Sequence, residues 1–335
     1  MRVFVFIFLI AAGLTAVSIP YVRRFALWAG FVDQPAARKL HGEPIPLMGG
    51  LAITLGALLA FLLIFWLLPA RPDSPSVLGA VLAAALVALV GLVDDRRGLP
   101  AWLKLASQFG GFAILALAGV RVQLPIPEWL NLAITFLWLA GISNAINFLD
   151  NMDGLAAGVS GVAAVFILLL AASNDQYLVA ALAAAVLGAC LGFLRYNFRP
   201  ATIFMGDAGS LFLGFLLAML GIQLRFPANV SFVTWMVPVF IMGLPILDTT
   251  LVLVSRLRRR VNPFTTAGKD HLSHRLVARG YSQRETVLML YLLAGLFGIG
   301  AMFITTADIV EGYALGFLAA LMACLLIWRL EFRGT

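Results

Sequence analysis

Charge is the first thing this sequence lacks. Asp, Glu, Lys and Arg make up only 12% of its 335 residues, about half the ~25% usual in a soluble globular domain. With 62% hydrophobic residues and a mean hydropathy of +1.00, a water-soluble fold would expose apolar patches large enough to drive aggregation. Cysteine is nearly missing too. Cys190 and Cys324 lie inside apolar runs, which excludes a disulfide scaffold and a zinc cluster. Histidine occurs three times, and internal repeats and low-complexity tracts are absent. What remains is a net charge of +7, and its placement decides its meaning.

Long apolar runs are abundant instead. Stretches near the roughly 20 residues needed to cross a bilayer fall at 3–22, 48–69, 77–93, 102–120, 129–147, 155–172, 177–195, 209–224, 231–254, 287–306 and 311–328. The expectation is an all-α polytopic membrane protein with about 11 transmembrane helices in a single integral membrane domain over 1–335. Short connections at 71–76, 173–176 and 225–229 carry the Pro, Asn, Asp and Ser of turns. Numbering the loops alternately, one side receives only Arg2, Arg71, Arg121 and Arg225, and the other receives the remaining 19 of 23 basic residues. That asymmetry puts the N-terminus outside, with the loop at 256–285 and the C-terminus in the cytoplasm. Arg23 and Arg24 after the first span favour a retained helix over a cleaved signal peptide. The asymmetry also accounts for the basic charge without nucleic acid.

Five polar clusters fall mostly on that cytoplasmic side. Asp94 and Asp95 close the third span in GLVDDRRGLP. Adjacent carboxylates repel, and a metal ion or neighbouring cations would keep both ionised; a solvated pair beside Arg96 and Arg97 is the plainer alternative. In SNAINFLDNMDGL, Asn144, Asn147, Asp150 and Asp153 step by three, so on a helix they would form one polar stripe of the hard oxygen ligands that magnesium prefers. In NFRPATIFMGDAGSLFLG, Asp207 stands between Gly206 and Gly209. It could cap the helix expected from near Ser210, or the glycines could bring a phosphate to the positive end of that helix. Phe204 could stack on a base or be an interfacial aromatic. Asp248 lies inside the ninth span, where burial of an acid is costly. The segment AGKDHLSHRLVARG holds His271 and His274 with Lys269 and Arg275, a set suited to an anionic pyrophosphate. Arg38, Lys39 and His41 in ARKLHGEPIPLMGG form a similar basic group.

Taken in order from KLHGEPIPLMGG to HLSHR, these segments resemble the polyprenyl-phosphate N-acetylhexosamine-1-phosphate transferase family, glycosyltransferase family 4. The resemblance implies that polyprenyl phosphate from the bilayer attacks the β-phosphate of a UDP-sugar from the cytoplasm. UMP leaves, and a polyprenyl-pyrophosphoryl sugar remains. It implies Mg2+, with Mn2+ as a substitute, held by Asp207 and Asn147. Asp94, Asp95 and Asp150 take catalytic roles, with Asp95 expected on the lipid phosphate or on Lys104. Lys104 and Asn144 would bind substrate, Asp153 and Phe204 the uracil, and His271, His274 and Arg275 the pyrophosphate or sugar. The setting implied is the bacterial inner membrane, with a homodimer as one candidate assembly. Two segments depart from the family pattern: Asp150-Asn151-Met152-Asp153-Gly154 for D-G-x-D-G, and His271-Leu272-Ser273-His274-Arg275 for H-x-H-H. The compact loops resemble the N-acetylglucosamine branch more than the peptidoglycan translocase, which acts on a MurNAc-pentapeptide donor. Three rival readings are weaker. An intramembrane prenyltransferase needs a third acid after Asp95, and a CDP-alcohol phosphotransferase needs an arginine after Gly154. An ion-coupled transporter keeps its acids near mid-membrane, where only Asp248 lies.

Overall fold

The computed structural model describes residues 2–33, 44–67, 74–263, 266 and 268–332. Arg38, Lys39 and His41 lie outside the described residues. The chain divides into two compact units, Met1–Arg225 and Phe226–Thr335.

The first unit contains α1 (Arg2–Ala29), α2 (Gly49–Leu67), α3 (Ser74–Arg97), α4 (Ala101–Leu117), α5 (Glu128–Leu149), α6 (Leu155–Ser173), α7 (Tyr177–Asn197) and α8 (Asp207–Gln223). Between α1 and α2 runs a small ladder that the sequence did not suggest. Strands β1 (Val32–Asp33) and β2 (Ile45–Pro46) pair antiparallel, Val32 with Pro46 and Asp33 with Ile45. The centre of the unit is α8, whose residues Ala208 to Ile222 are all buried. Its sequence explains this. A helix that is apolar all round has no face for water, and its small residues admit close neighbours. Helices α2, α3, α5, α6 and α7 pack around it. The tightest approach is at Gly50 of α2, where an added Cβ would lie 2.0 Å from the Gly209 nitrogen. Trp138 Nε1 and Ser143 Oγ of α5 bond the Ala218 and Leu211 carbonyls of α8 at 3.0 and 2.9 Å.

The second unit contains α9 (Ser231–Thr234), α10 (Met236–Ile241), α11 (Gly243–Arg258), α12 (Leu272–Ala278), α13 (Gln283–Ile304) and α14 (Ile309–Phe332). The apolar window at 231–254 is thus broken, with a bend of 71° at Met242. Pro245 has no N–H to give the Ile241 carbonyl, so the helix ladder fails at this point.

Among the described residues, seven helices are long and apolar enough to cross a membrane, or up to eight if the bent pair is one span. Shorter apolar helices lie at Gly49–Leu63, Ala101–Leu117 and Asp207–Gln223. The protein is an all-α polytopic membrane protein.

Candidate active site

In the first unit, the C-terminal ends of α3, α5 and α7 meet the N-terminal ends of α4, α6 and α8. The turn from α3 to α4 is closed by Gly98 at φ +64°, whose N–H bonds the Asp94 carbonyl at 2.8 Å. Asp94 Oδ1 accepts the Leu99 N–H, which fixes the acid over the start of α4. Lys104 then lies between two carboxylates, with Nζ 3.0 Å from Asp94 Oδ2 and 2.9 Å from Asp207 Oδ2. Asn147 of α5 donates from Nδ2 to Asp207 Oδ1 at 2.8 Å and to Ser210 Oγ at 2.9 Å. Asp207 is therefore shared by α4 and α5 at the mouth of the central helix.

Asp95 does something else. Its Oδ1 accepts the Asp207 N–H at 2.6 Å and its Oδ2 accepts the Ala208 N–H at 3.1 Å. These are orphan donors of the first turn of α8, so Asp95 caps that helix from another helix. Gly206 makes room. It sits at φ +72°, and an added Cβ would lie 2.5 Å from the Asp95 carboxylate. Two expectations change accordingly. The helix begins at Asp207, with Gly206 as its cap residue and no cap bond from Gly206, so Asp207 is not the N-cap and its side chain is turned to Lys104 and Asn147. Lys104 belongs to Asp94, not to Asp95.

The four-residue stripe of Asn144, Asn147, Asp150 and Asp153 does not persist, because α5 ends at Leu149. Asn144 is turned to α4, donating to Gln108 Oε1 at 3.0 Å and to the Ala140 carbonyl at 2.8 Å. Asp150 closes α5, and its carboxyl is pushed up to about 8 by burial and by the charges of Asp207, Asp95 and Asp153. Asp153 accepts the Ala201 N–H at 3.1 Å and lies 3.6 Å from the Arg199 guanidinium. Asn197, not singled out in the sequence reading, holds this turn. Its Oδ1 accepts from Gly154 N and its Nδ2 donates to the Ile203 carbonyl, both at 2.9 Å. Its only signal was its place at the head of NFRPATIFMGD. Phe204 is fixed by its backbone between Pro46 and Gly49, at 2.8 and 2.9 Å.

The second unit holds the other candidates. His271 Nδ1 lies 2.7 Å from Asp248 Oδ2. Its ring meets that of His274 edge-on, with centroids 6.0 Å apart. Burial, then the neighbouring His271 and Lys269, push His274 below the ordinary histidine value. Arg275 is committed to structure. It donates to the Asp270 and Leu330 carbonyls at 2.9 Å, to Ser255 Oγ at 3.1 Å and to the Glu331 carboxylate. Burial alone would push the Asp270 carboxyl up, but bonds from Arg256 and Arg259 outweigh it and hold the group below its usual range.

Comparison with known proteins fits this arrangement. Residues 77–225 match the model of glycosyl transferase family 4. A relative from Bacillus subtilis (strain 168), named probable undecaprenyl-phosphate N-acetylglucosaminyl 1-phosphate transferase, is 35% identical across 90% of this chain and 85% of its own. The decaprenyl-phosphate N-acetylglucosaminephosphotransferase of Mycolicibacterium smegmatis is 35% identical across 86% of this chain and 80% of its own. A phospho-N-acetylmuramoyl-pentapeptide-transferase from Moorella thermoacetica is 30% identical across 78% and 84%. The matched segment covers α3 to α8, the helices that carry the Asp94–Lys104–Asp207 cluster, and the chain belongs to glycosyl transferase family 4.

Proposed function

We propose that this protein transfers N-acetylglucosamine 1-phosphate from UDP-N-acetylglucosamine to undecaprenyl (polyprenyl) phosphate, releasing UMP and leaving a polyprenyl-pyrophosphoryl sugar that begins a cell-envelope glycopolymer. The observation that carries the reading is Asp207, an acid at the mouth of a buried helix, held by Lys104 and Asn147 opposite Asp94. Phosphoryl transfer needs charge neutralisation and alignment more than covalent help, and this cluster offers both.

The residues fit Mg2+, with Mn2+ as a substitute. Asp94 and Asp207 share one ammonium, and Asp95 and Asp150 lie near enough to Asp207 to feel its charge; that surplus of hard oxygens suits a divalent cation. Among the described residues no group of three His, Cys, Asp or Glu is arranged to hold a metal alone. A cation that shares its coordination with the donor's diphosphate is consistent with that. Asp207 and the Asn147 amide oxygen would hold it; when bound, it neutralises the diphosphate oxygens and the charge on departing UMP. Lys104 exchanges a carboxylate for a phosphate oxygen, and Asp94 keeps it aimed. Asp153 and Phe204 serve the uracil, and His271 and His274 serve the pyrophosphate or sugar. Arg275 holds the segment that carries the two histidines.

Among the described residues the seven long apolar helices, the bent pair and the three shorter apolar helices would make eleven crossings, with the N-terminus outside and the site at the cytoplasmic face of a bacterial inner membrane. The one-sided basic residues support that orientation. Purified protein with polyprenyl phosphate, Mg2+ and UDP-N-acetylglucosamine should release UMP and form the lipid-linked sugar. Preference for UDP-N-acetylmuramoyl-pentapeptide would move the chain to the translocase branch. No UMP from either donor would favour a transporter.

A further inference from the structure

Gln108 is a buried amide that the transfer reading leaves without a task. It lies on α4 four residues past Lys104, on the same face of the helix, and is 0% exposed. Its Oε1 accepts from Asn144 Nδ2 at 3.0 Å, while its own Nε2 is buried and has no hydrogen-bond partner. A buried N–H left without an acceptor is costly, so this orientation of the amide needs a reason. Asn144 gives it. Its Nδ2 also donates to the Ala140 carbonyl at 2.8 Å. A carbonyl only accepts, so the Asn144 atom beside it must be the nitrogen, and the Gln108 atom that meets this nitrogen must be the oxygen. Both amide hydrogens of Asn144 are then spent, and what the side chain has left to offer is Oδ1. Asn147, one turn along α5, is held in the same way. Its hydrogens go to the Asp207 carboxylate at 2.8 Å and to Ser210 Oγ at 2.9 Å. Both asparagines are half-buried, and among the described residues no donor meets either Oδ1. Next to Asp207, α5 thus presents two neutral oxygens three residues apart. Hard oxygens with no hydrogen to give suit a divalent cation, whereas an amide NH2 turned the same way would repel one.

We propose that Gln108 is a positioning residue that acts through Asn144, holding its amide so that Oδ1, beside that of Asn147, is turned out as a ligand for the divalent cation. The inference rests on the transfer reading given above and adds an oxygen to the cation site described there. Gln108→Met keeps the length of the side chain but removes the acceptor, and with it the orphaned Nε2. The Asn144 amide is then free to turn its nitrogen outward. Asn144→Asp has no nitrogen to misdirect, so in that background Gln108 has nothing left to orient.

The test is a Mn2+ titration of the purified full chain, read by the electron paramagnetic resonance of the free ion. UDP-N-acetylglucosamine is present and polyprenyl phosphate is left out, so that no turnover occurs. Gln108→Met should weaken Mn2+ binding about 10- to 100-fold, the range seen when a residue that orients a metal ligand is removed. The same substitution in the Asn144→Asp background should change it less than twofold, because the two residues act as one unit. The melting midpoint of Gln108→Met should stay near that of the wild type, since replacing an amide with an orphaned N–H by an apolar group of the same shape is close to neutral. A merely structural role predicts the opposite pattern, a lower midpoint with Mn2+ binding intact. Unchanged Mn2+ binding in Gln108→Met, or an equal loss in the Asn144→Asp background, would overturn the inference and leave the transfer reading standing. A rise in KM for UDP-N-acetylglucosamine with Mn2+ binding unchanged would also overturn it, giving the Asn144 oxygen to the donor sugar. The transfer reading fails separately, if the wild type binds Mn2+ but releases no UMP. If Gln108→Met shows no cooperative melt, Gln108→Leu carries the same comparison.

Discussion

The adjacent acids Asp94 and Asp95 should separate cleanly under mutation, because the structure gives them different work. Asp95 caps two N–H groups of α8 at 2.6 and 3.1 Å, whereas Asp94 meets a lysine side chain and one turn N–H. Loss of a helix cap costs about 1 kcal/mol, and a buried donor left without a partner about 1–3 kcal/mol. Asp95→Ala therefore costs about 2–4 kcal/mol, the uncapped donors dominating. For a unit of this size each kcal/mol moves the melting midpoint by about 2–4 °C, so a fall of about 4–16 °C is expected. Asp95→Asn keeps one acceptor and should lose about half as much. Asp94→Asn retains an oxygen for Leu99 and loses only a partly exposed ion pair, worth up to about 1 kcal/mol. Its midpoint should hardly move while its transfer rate falls at least tenfold. The assays are thermal melts in detergent and UMP release across pH for each variant. The second pKa of a phosphate monoester is near 6, so a base acting on the acceptor matters less above that value. A wild-type melt for Asp95→Asn, with a transfer defect that fades as pH rises, would refute the capping argument and make Asp95 the base.

Other outcomes follow from the same geometry. Asp207→Asn should melt near the wild type, since its side chain is not the helix cap, but should lose at least 100-fold in transfer; normal turnover with an unchanged Mg2+ titration would end the metal assignment. Asp150 has a folded-state pKa raised to about 8, so the apo fold keeps a proton that the unfolded chain loses near 4. Stability therefore falls as pH rises between those values, and Asp150→Asn should melt higher than the wild type by a margin that grows from pH 4 to 8 and then levels. A margin independent of pH would show that the carboxyl is not perturbed. Cysteines at the exposed positions Ser173 and Ala278 test orientation. Labelling from outside intact cells should reach Ser173→Cys and miss Ala278→Cys, and the reverse would put the site on the wrong side for a cytoplasmic nucleotide sugar.

How far the sequence could lead depended on whether a feature is local. The helices are legible because crossing hydrocarbon demands some 20 apolar residues in a row, and ten of the eleven expected windows each fall on one helix. The 231–254 window is one helix to a hydropathy reading, yet Pro245 already marks where it breaks. The stripe through Asp153 failed because its period was carried past Leu149, although Gly154, at φ +79°, was visible as a stop. The β1–β2 ladder was invisible, since two residues on each side carry no period.

The assignment of the acid pair shows what only the fold supplies. Successive helical residues diverge by about 100°, so unequal roles were foreseeable, but their order was not. Gly206 decides it. In the sequence, that glycine reads as an opening for phosphate at the positive end of a helix. In the fold, the opening admits the Asp95 carboxylate, at a distance no Cβ would permit. The first-turn N–H groups of Asp207 and Ala208 are thereby occupied by the protein's own anion. A substrate phosphate arriving here cannot take those two donors as well, so its charge falls to side chains. That consequence is why Lys104, poised between Asp94 and Asp207, and the oxygens of Asp207 and Asn147 carry the weight of the proposed chemistry, and why Asp95 matters by keeping the helix end closed.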